Sequence, residues 1–85
     1  MRIGIIGYGS MGKMLIWKFS GAGLTKDELY VSNRTESKLD EAKDIATICS
    51  NEQAAKSADI VFVCVRPSDL KQVLEQISPV ISKER

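Results

Sequence analysis

An α/β fold on a parallel sheet is what the 85-residue sequence predicts, and three observations carry that prediction. The runs Arg2 to Ile6 and Ile60 to Val65 are short and largely apolar, the second without any polar residue. Such runs suit strands buried on both faces better than strands with one wet face. A stretch of helical spacing follows each, the alternation expected when crossovers cover a parallel sheet. Glycines at positions 7, 9 and 12 mark the first strand-to-helix junction.

In chain order, the first strand, Arg2 to Ile6, leads to a helix from Ser10 to Ser20. Its apolar positions Met11, Met14, Leu15, Ile16, Trp17 and Phe19 leave Lys13 and Lys18 for solvent, and Gly21 to Gly23 supplies a stop. A weaker strand runs from Leu29 to Ser32. From Thr35, the residues Leu39, Ala42 and Ala46 fall three and four apart among charged neighbours and predict a second helix, with a short third strand at Ala46 to Cys49. Asn51 is an N-cap candidate for a short helix whose thin apolar face is Ala54, Ala55 and Ala58. The fourth strand, Ile60 to Val65, passes Pro67 into a helix capped by Ser68, with the face Leu70, Val73, Leu74 and Ile77, interrupted or restarted at Pro79. Four strand-helix units with right-handed crossovers predict the strand order 3-2-1-4. Ser82 to Arg85 is polar and no fifth apolar run follows, so the sequence reads as a doubly wound sheet truncated before a fifth strand, with one flank of the fourth strand uncovered.

A chain of this length forms one domain, residues 1–85, able to bury about three-fifths of its extended surface. Hydrophobic residues make up 44% and charged residues 27%, which fits a globular domain rather than a disordered or membrane chain. The net charge of +1 comes from 12 basic and 11 acidic residues mixed along the chain, so neither nucleic acid nor an anionic membrane is an expected partner. The N-terminal apolar stretch is broken by Gly4, Gly7 and Gly9 and lacks a cleavage site, and a cytoplasmic location is expected. Cys49 and Cys64 are too widely spaced for a metal knuckle and read as strand thiols. Histidine is absent, which removes the commonest general base and metal ligand near neutral pH.

Gly7-Tyr8-Gly9-Ser10-Met11-Gly12 matches the glycine fingerprint of dinucleotide-binding, Rossmann-type folds, and it stands between a buried strand and a helix, as that fingerprint must. Gly7 allows the tight turn, Gly9 lets backbone approach a pyrophosphate, and Gly12 lets the helix press on the first strand. The N–H groups of Ser10, Met11 and Gly12 would then meet phosphate at the positive end of the helix. The plainer reading is a glycine-rich turn that binds nothing. No Gly-Lys-Ser/Thr follows at the spacing of a triphosphate loop.

About 20 residues beyond the loop, where an NAD-binding domain places a carboxylate for the ribose hydroxyls, stands Ser32-Asn33-Arg34-Thr35. An arginine fork with hydroxyl and amide neighbours suits a 2′-phosphate, so the cofactor expected is NADP rather than NAD. The alternative is a solvated turn in which Thr35 caps the next helix.

The glycine loop, Val31-Ser32-Asn33-Arg34-Thr35 and Val61-Phe62-Val63-Cys64-Val65-Arg66-Pro67 together resemble the N-terminal domain of pyrroline-5-carboxylate reductases, through the whole chain. The resemblance implies an NADPH-binding domain completed by a helical domain that forms a homo-oligomer and holds a cyclic imine, reduced to proline. It also implies that Tyr8 to Met11 contact the pyrophosphate and Ser32, Asn33 and Arg34 the 2′-phosphate. Asn51 would lie near the adenosine, and Cys64, Val65, Arg66 and Pro67 would pass beside the nicotinamide ribose. Two departures stand out: Arg66 replaces the family's usual lysine, and Tyr8 a common alanine. Competence-type reductase homologues and deazaflavin-dependent NADP oxidoreductases share much of this pattern. So does the 3-hydroxyacid dehydrogenase family, against which Arg66-Pro67 argues.

No catalytic constellation is legible: no paired carboxylates and no nucleophile with a base. The residues that would hold a small-molecule substrate are expected beyond residue 85, and the 85-residue chain alone is not expected to turn over. A non-catalytic NADP-sensing module, or a Rossmann remnant that binds nothing, stays open on the same residues.

Overall fold

The computed structural model describes residues 1–81 of the chain, so the polar tail at Ser82 to Arg85 lies outside the described residues. Four parallel strands, β1 (Ile3–Ile6), β2 (Leu29–Ser32), β3 (Thr47–Ile48) and β4 (Ile60–Val63), lie in the order β3-β2-β1-β4. This is the order expected from sequence. β1 is central: Ile3, Gly4, Ile5 and Ile6 pair with Leu29, Tyr30, Val31 and Ser32 on one side and with Ile60, Val61, Phe62 and Val63 on the other.

The period of two along β1 divides the core into two layers. Ile3 and Ile5 face a cluster with Ile16, Leu29, Val31, Leu39, Ala42 and Ala46. Ile6 faces the opposite cluster, built with Ala54, Ala55, Val73 and Ile77. The helices α1 (Ser10–Gly21), α2 (Asn51–Ser57) and α3 (Pro67–Ile81) cover these two faces, which makes the sheet doubly wound. Every residue of β1 is buried, and truncating Ile5, fully enclosed, would cost about 2–5 kcal/mol.

Several elements differ from their sequence expectation, each for a physical reason. The expected buried run Ile60 to Val65 becomes a four-residue edge strand that is half-open, with Ile60 exposed, because only β1 pairs with it. The segment after Thr35 is a 3-10 helix, Glu36–Ala42, rather than an α-helix. Leu39 and Ala42, the buried pair, are three apart, and three residues per turn stack them on one line against the core. The third strand shrinks to two residues.

Helix starts also shift. Ser50, not Asn51, caps α2, its hydroxyl accepting from the Gln53 N–H at 3.1 Å. Pro67, not Ser68, opens α3 in the first helical position, where its fixed φ is an asset. Pro79 does not break α3, which continues to Ile81. The stop of α1 is a paired one: Leu24 N–H donates to Phe19 O and Gly23 N–H to Ser20 O, both at 3.1 Å. Gly23 at φ +108° supplies the left-handed residue this closure needs.

Two helix faces are narrower than their apolar residues suggested. On α1 only Gly12 and Ile16 are buried, while Met11, Met14 and Trp17 are exposed. On α3 Val73 and Ile77 are buried and Leu70 and Leu74 are exposed.

Candidate functional site

The loops that leave the C-terminal ends of β1, β2 and β4 border one cleft of about 600 Å³, within the range of ligand pockets. β1 sits where the chain order reverses, so the cleft opens at the topological switch point of the sheet. Ten residues singled out from sequence line it: Gly7, Tyr8, Gly9, Ser32, Asn33, Arg34, Asn51, Cys64, Val65 and Arg66. Ser10, Met11 and Gly12, in the first turn of α1, and Pro67 lie outside its lining.

Gly7 and Gly12 have the turn and packing properties their spacing predicts. Gly7 stands at φ +102°, and a Cβ there would overlap the Cys64 carbonyl. A Cβ on Gly12 would overlap the Gly7 carbonyl, so helix and loop touch backbone to backbone. At Gly9 a Cβ would meet nothing within 4 Å. Two of the glycines therefore serve packing, and the third keeps the mouth of α1 accessible. The first bond of α1 runs from Lys13 N–H to Gly9 O at 2.9 Å, and the N–H groups before it have no partner within the helix. They form an anion-attracting edge beside the cleft.

Backbone bonds and one side chain lock this edge in place. Gly7 N–H donates to Ser32 O at 2.8 Å, and Cys64 N–H to Ile6 O at 2.7 Å. Asn33 accepts from Tyr8 N–H on Oδ1 at 2.9 Å and donates from Nδ2 to Thr35 O at 3.0 Å. Asn33 thus ties the glycine loop to the turn after β2. Tyr8 borders the cleft, yet its ring is buried in the core, with its hydroxyl hydrogen-bonded to Glu41 and Trp17. Burial, and then the bond to Glu41, push the Tyr8 phenol above its usual range. Thr35 makes no side-chain cap at the 3-10 helix.

At the other end of the cleft, Ser32 Oγ donates to Asn51 Oδ1 at 2.6 Å, and Asn51 Nδ2 donates to Gln76 Oε1 at 2.7 Å. This chain joins β2, α2 and α3 through one amide. Arg34 reaches across to Asp69, Nη2 to Oδ1 at 2.7 Å. Burial raises the thiol pKa of both Cys49 and Cys64, so neither is a ready nucleophile at neutral pH. Among the described residues no group of three or more His, Cys, Asp or Glu could hold a metal ion.

Asp69, Gln72 and Gln76 line the cleft and were missed from sequence. Their signal was available: positions 69, 72 and 76 share one helical face beside the buried Val73 and Ile77. Lys38, Glu36 and Glu52 complete the charged lining, which is mixed in sign.

The residues present suit a dinucleotide: an open glycine at the helix mouth, unbonded helix N–H groups, and a guanidinium where the ribose end would lie. Residues 2–85 match the model of the family described as NADP oxidoreductase, coenzyme F420-dependent. The chain belongs to this family. A relative of this F420-dependent NADP oxidoreductase family chain is the pyrroline-5-carboxylate reductase of Methanobrevibacter smithii, 34% identical over 90 residues, an alignment covering 100% of the chain and 36% of the reductase. Among solved structures, a pyrroline-5-carboxylate reductase from Coxiella burnetii superposes with a TM-score of 0.88 at 30% identity, over 96% of the chain and 32% of the reductase. The Plasmodium falciparum pyrroline carboxylate reductase with NADP bound gives 0.80 at 26% identity, over 96% of the chain and 30% of that protein. The chain spans about a third of the length of the curated relatives it matches.

Proposed function

We propose that the chain is the NADPH-binding part of a reductase acting on a carbon–nitrogen double bond, with a cyclic imine of the pyrroline-5-carboxylate type as the substrate of the whole protein. The observation that carries the reading is the pairing of the glycine loop with Arg34 on one cleft, where an NAD-binding domain would carry a carboxylate. The relatives' printed names, and NADP in one related structure, support it.

Gly9 and the first-turn N–H groups at Ser10, Met11 and Gly12 would hold the pyrophosphate and Arg34 the 2′-phosphate, with Ser32 positioning Asn51, which with its Gln76 partner would meet the adenosine side. Cys64, Val65 and Arg66 would border the nicotinamide ribose, with Pro67 holding their turn into α3. When bound, the nicotinamide supplies a hydride. The described residues of this chain would bind and orient the cofactor; in a protein of the relatives' length, proton delivery and substrate grip would fall to the remainder. A homo-oligomeric parent, located in the cytoplasm, belongs to the same reading.

Calorimetric titration of the chain with NADPH and with NADH tests it. NADPH should bind at least about tenfold more tightly, a gap of roughly 1.4 kcal/mol. Arg34→Ala should weaken NADPH while leaving NADH nearly unchanged. Equal losses for both cofactors, or a folded chain that binds neither, would overturn the reading.

A further inference from the structure

The guanidinium assigned to the 2′-phosphate already has an anionic partner. Arg34 follows β2 and Asp69 lies in the first turn of α3, after β4, so their 2.7 Å ion pair joins the segments behind the two strands that flank β1. Both residues line the cleft. The two ends of the pair differ in freedom. Asp69 is held by its own N–H, which donates to Arg66 O at 2.8 Å, and its carboxylate stands at the positive end of a 15-residue helix. Its side chain is 27% exposed, against 75% for Arg34. The carboxylate is the fixed post, and the long guanidinium arm is the part that swings.

The pair uses Nη2 alone, so a phosphate taken by the same guanidinium either displaces the Asp69 carboxylate or stands beside its negative charge, and either way the carboxylate competes with it. We propose that Asp69 is a selectivity-setting residue that acts through Arg34. It holds one donor of the guanidinium in the free chain, the 2′-phosphate of NADPH binds against its charge, and NADH, lacking that phosphate, leaves the pair intact. Asp69 therefore narrows the preference for NADPH. The proposal rests on the NADP reading of the cleft. An ion pair this exposed is a weak competitor, so its removal should matter by a small factor rather than by orders of magnitude.

The test is a titration of the wild-type chain, Asp69→Asn, Arg34→Ala and the double variant with NADPH and with NADH. Asp69→Asn should bind NADPH about two- to fivefold more tightly and NADH as before. In the Arg34→Ala background the same substitution should bring no gain for NADPH. A residue that merely braced α3 would not tighten one cofactor alone. Unchanged or weaker NADPH binding by Asp69→Asn, or an equal gain in the Arg34→Ala background, would overturn the proposal while leaving the NADP reading in place. No NADPH binding by any of the four folded proteins would overturn both.

Discussion

The Tyr8 hydroxyl donates to Glu41 Oε2 at 2.8 Å and accepts from Trp17 Nε1 at 3.1 Å. Lys13 Nζ, also on α1, reaches the same Glu41 oxygen at 3.0 Å. The bulky residue between the first two glycines thus fastens the loop to α1 and to the 3-10 segment that covers the same face of the sheet. The departure from the resembled family's common alanine is a structural tie.

Tyr8→Phe keeps the buried ring and removes the tie. The loss should be about 1 kcal/mol, the usual net value of one such hydrogen bond. In a domain of this size that lowers Tm by about 4–8 °C, measurable by circular dichroism. The emission of Trp17 should shift in the folded state, since its indole N–H loses its acceptor. An unchanged Tm and spectrum would mean that the cluster contributes nothing.

The same cluster makes stability depend on pH at both ends. Hydrogen bonds from Tyr8, and then from Lys13, hold Glu41 below the usual glutamate range, and the Thr25 N–H, donating at 3.0 Å, does the same for Glu28. A carboxylate whose pKa is lower folded than unfolded adds stability above its unfolded value and loses it as pH falls through its folded value. The acid-side loss should therefore begin below about pH 4.3. The raised Tyr8 phenol has the opposite sign: its contribution is present below about pH 10 and is lost as pH rises beyond it. Urea melts from pH 3 to 11 check both arms, and Tyr8→Phe should reduce the slope of each.

Gly12→Ala and Gly9→Ala should separate packing from binding. At Gly12 the added methyl meets the Gly7 carbonyl, a backbone atom that cannot step aside, and the variant should fail to fold or lose several kcal/mol. Gly9 has φ −91° and nothing within 4 Å of a Cβ, so its variant should fold, losing at most about 1 kcal/mol as a poorer N-cap. Its NADPH affinity should nevertheless fall at least about tenfold, since the methyl stands where backbone would meet phosphate. Normal binding by Gly9→Ala, measured by calorimetry, would remove the pyrophosphate from the helix mouth.

How much of this was legible beforehand follows from which interactions are local. The order of strands came through because buried runs and crossover handedness are written in short windows, and β2 is found at the residues expected, Leu29–Ser32. The turn at Gly7 and the close packing at Gly12 were legible because their spacing is itself the geometry. The 3-10 form of Glu36–Ala42 was not, since Leu39, Ala42 and Ala46 satisfy either period and only the core decides. The partners of Arg34, Asn51 and Tyr8 lie 35, 25 and 33 residues away at Asp69, Gln76 and Glu41, beyond any window of periodicity. The site's backbone could therefore be read from the chain, and its side-chain wiring could not.

That wiring makes one further prediction, at Ser32 and Asn51. Ser32 is buried, 2% exposed, and its hydroxyl donates to Asn51 Oδ1 at 2.6 Å. Asn51→Ala removes the acceptor and leaves a buried donor without this bond, which costs about 1–3 kcal/mol. It also releases Gln76, so α2 and α3 lose a tie across the cleft. Ser32→Ala removes the buried donor in nearly the same volume and leaves its acceptor on Asn51, a half-buried residue of the cleft lining where water can take the hydroxyl's place, so it should be far milder. The two substitutions should thus compensate, with the double variant more stable than Asn51→Ala alone by about 1 kcal/mol, a coupling expected of residues in one network. Denaturant melts of the four proteins measure the coupling. Simple additivity would mean that the Ser32 hydroxyl finds another acceptor when Asn51 is gone, and that the amide serves α3 rather than β2.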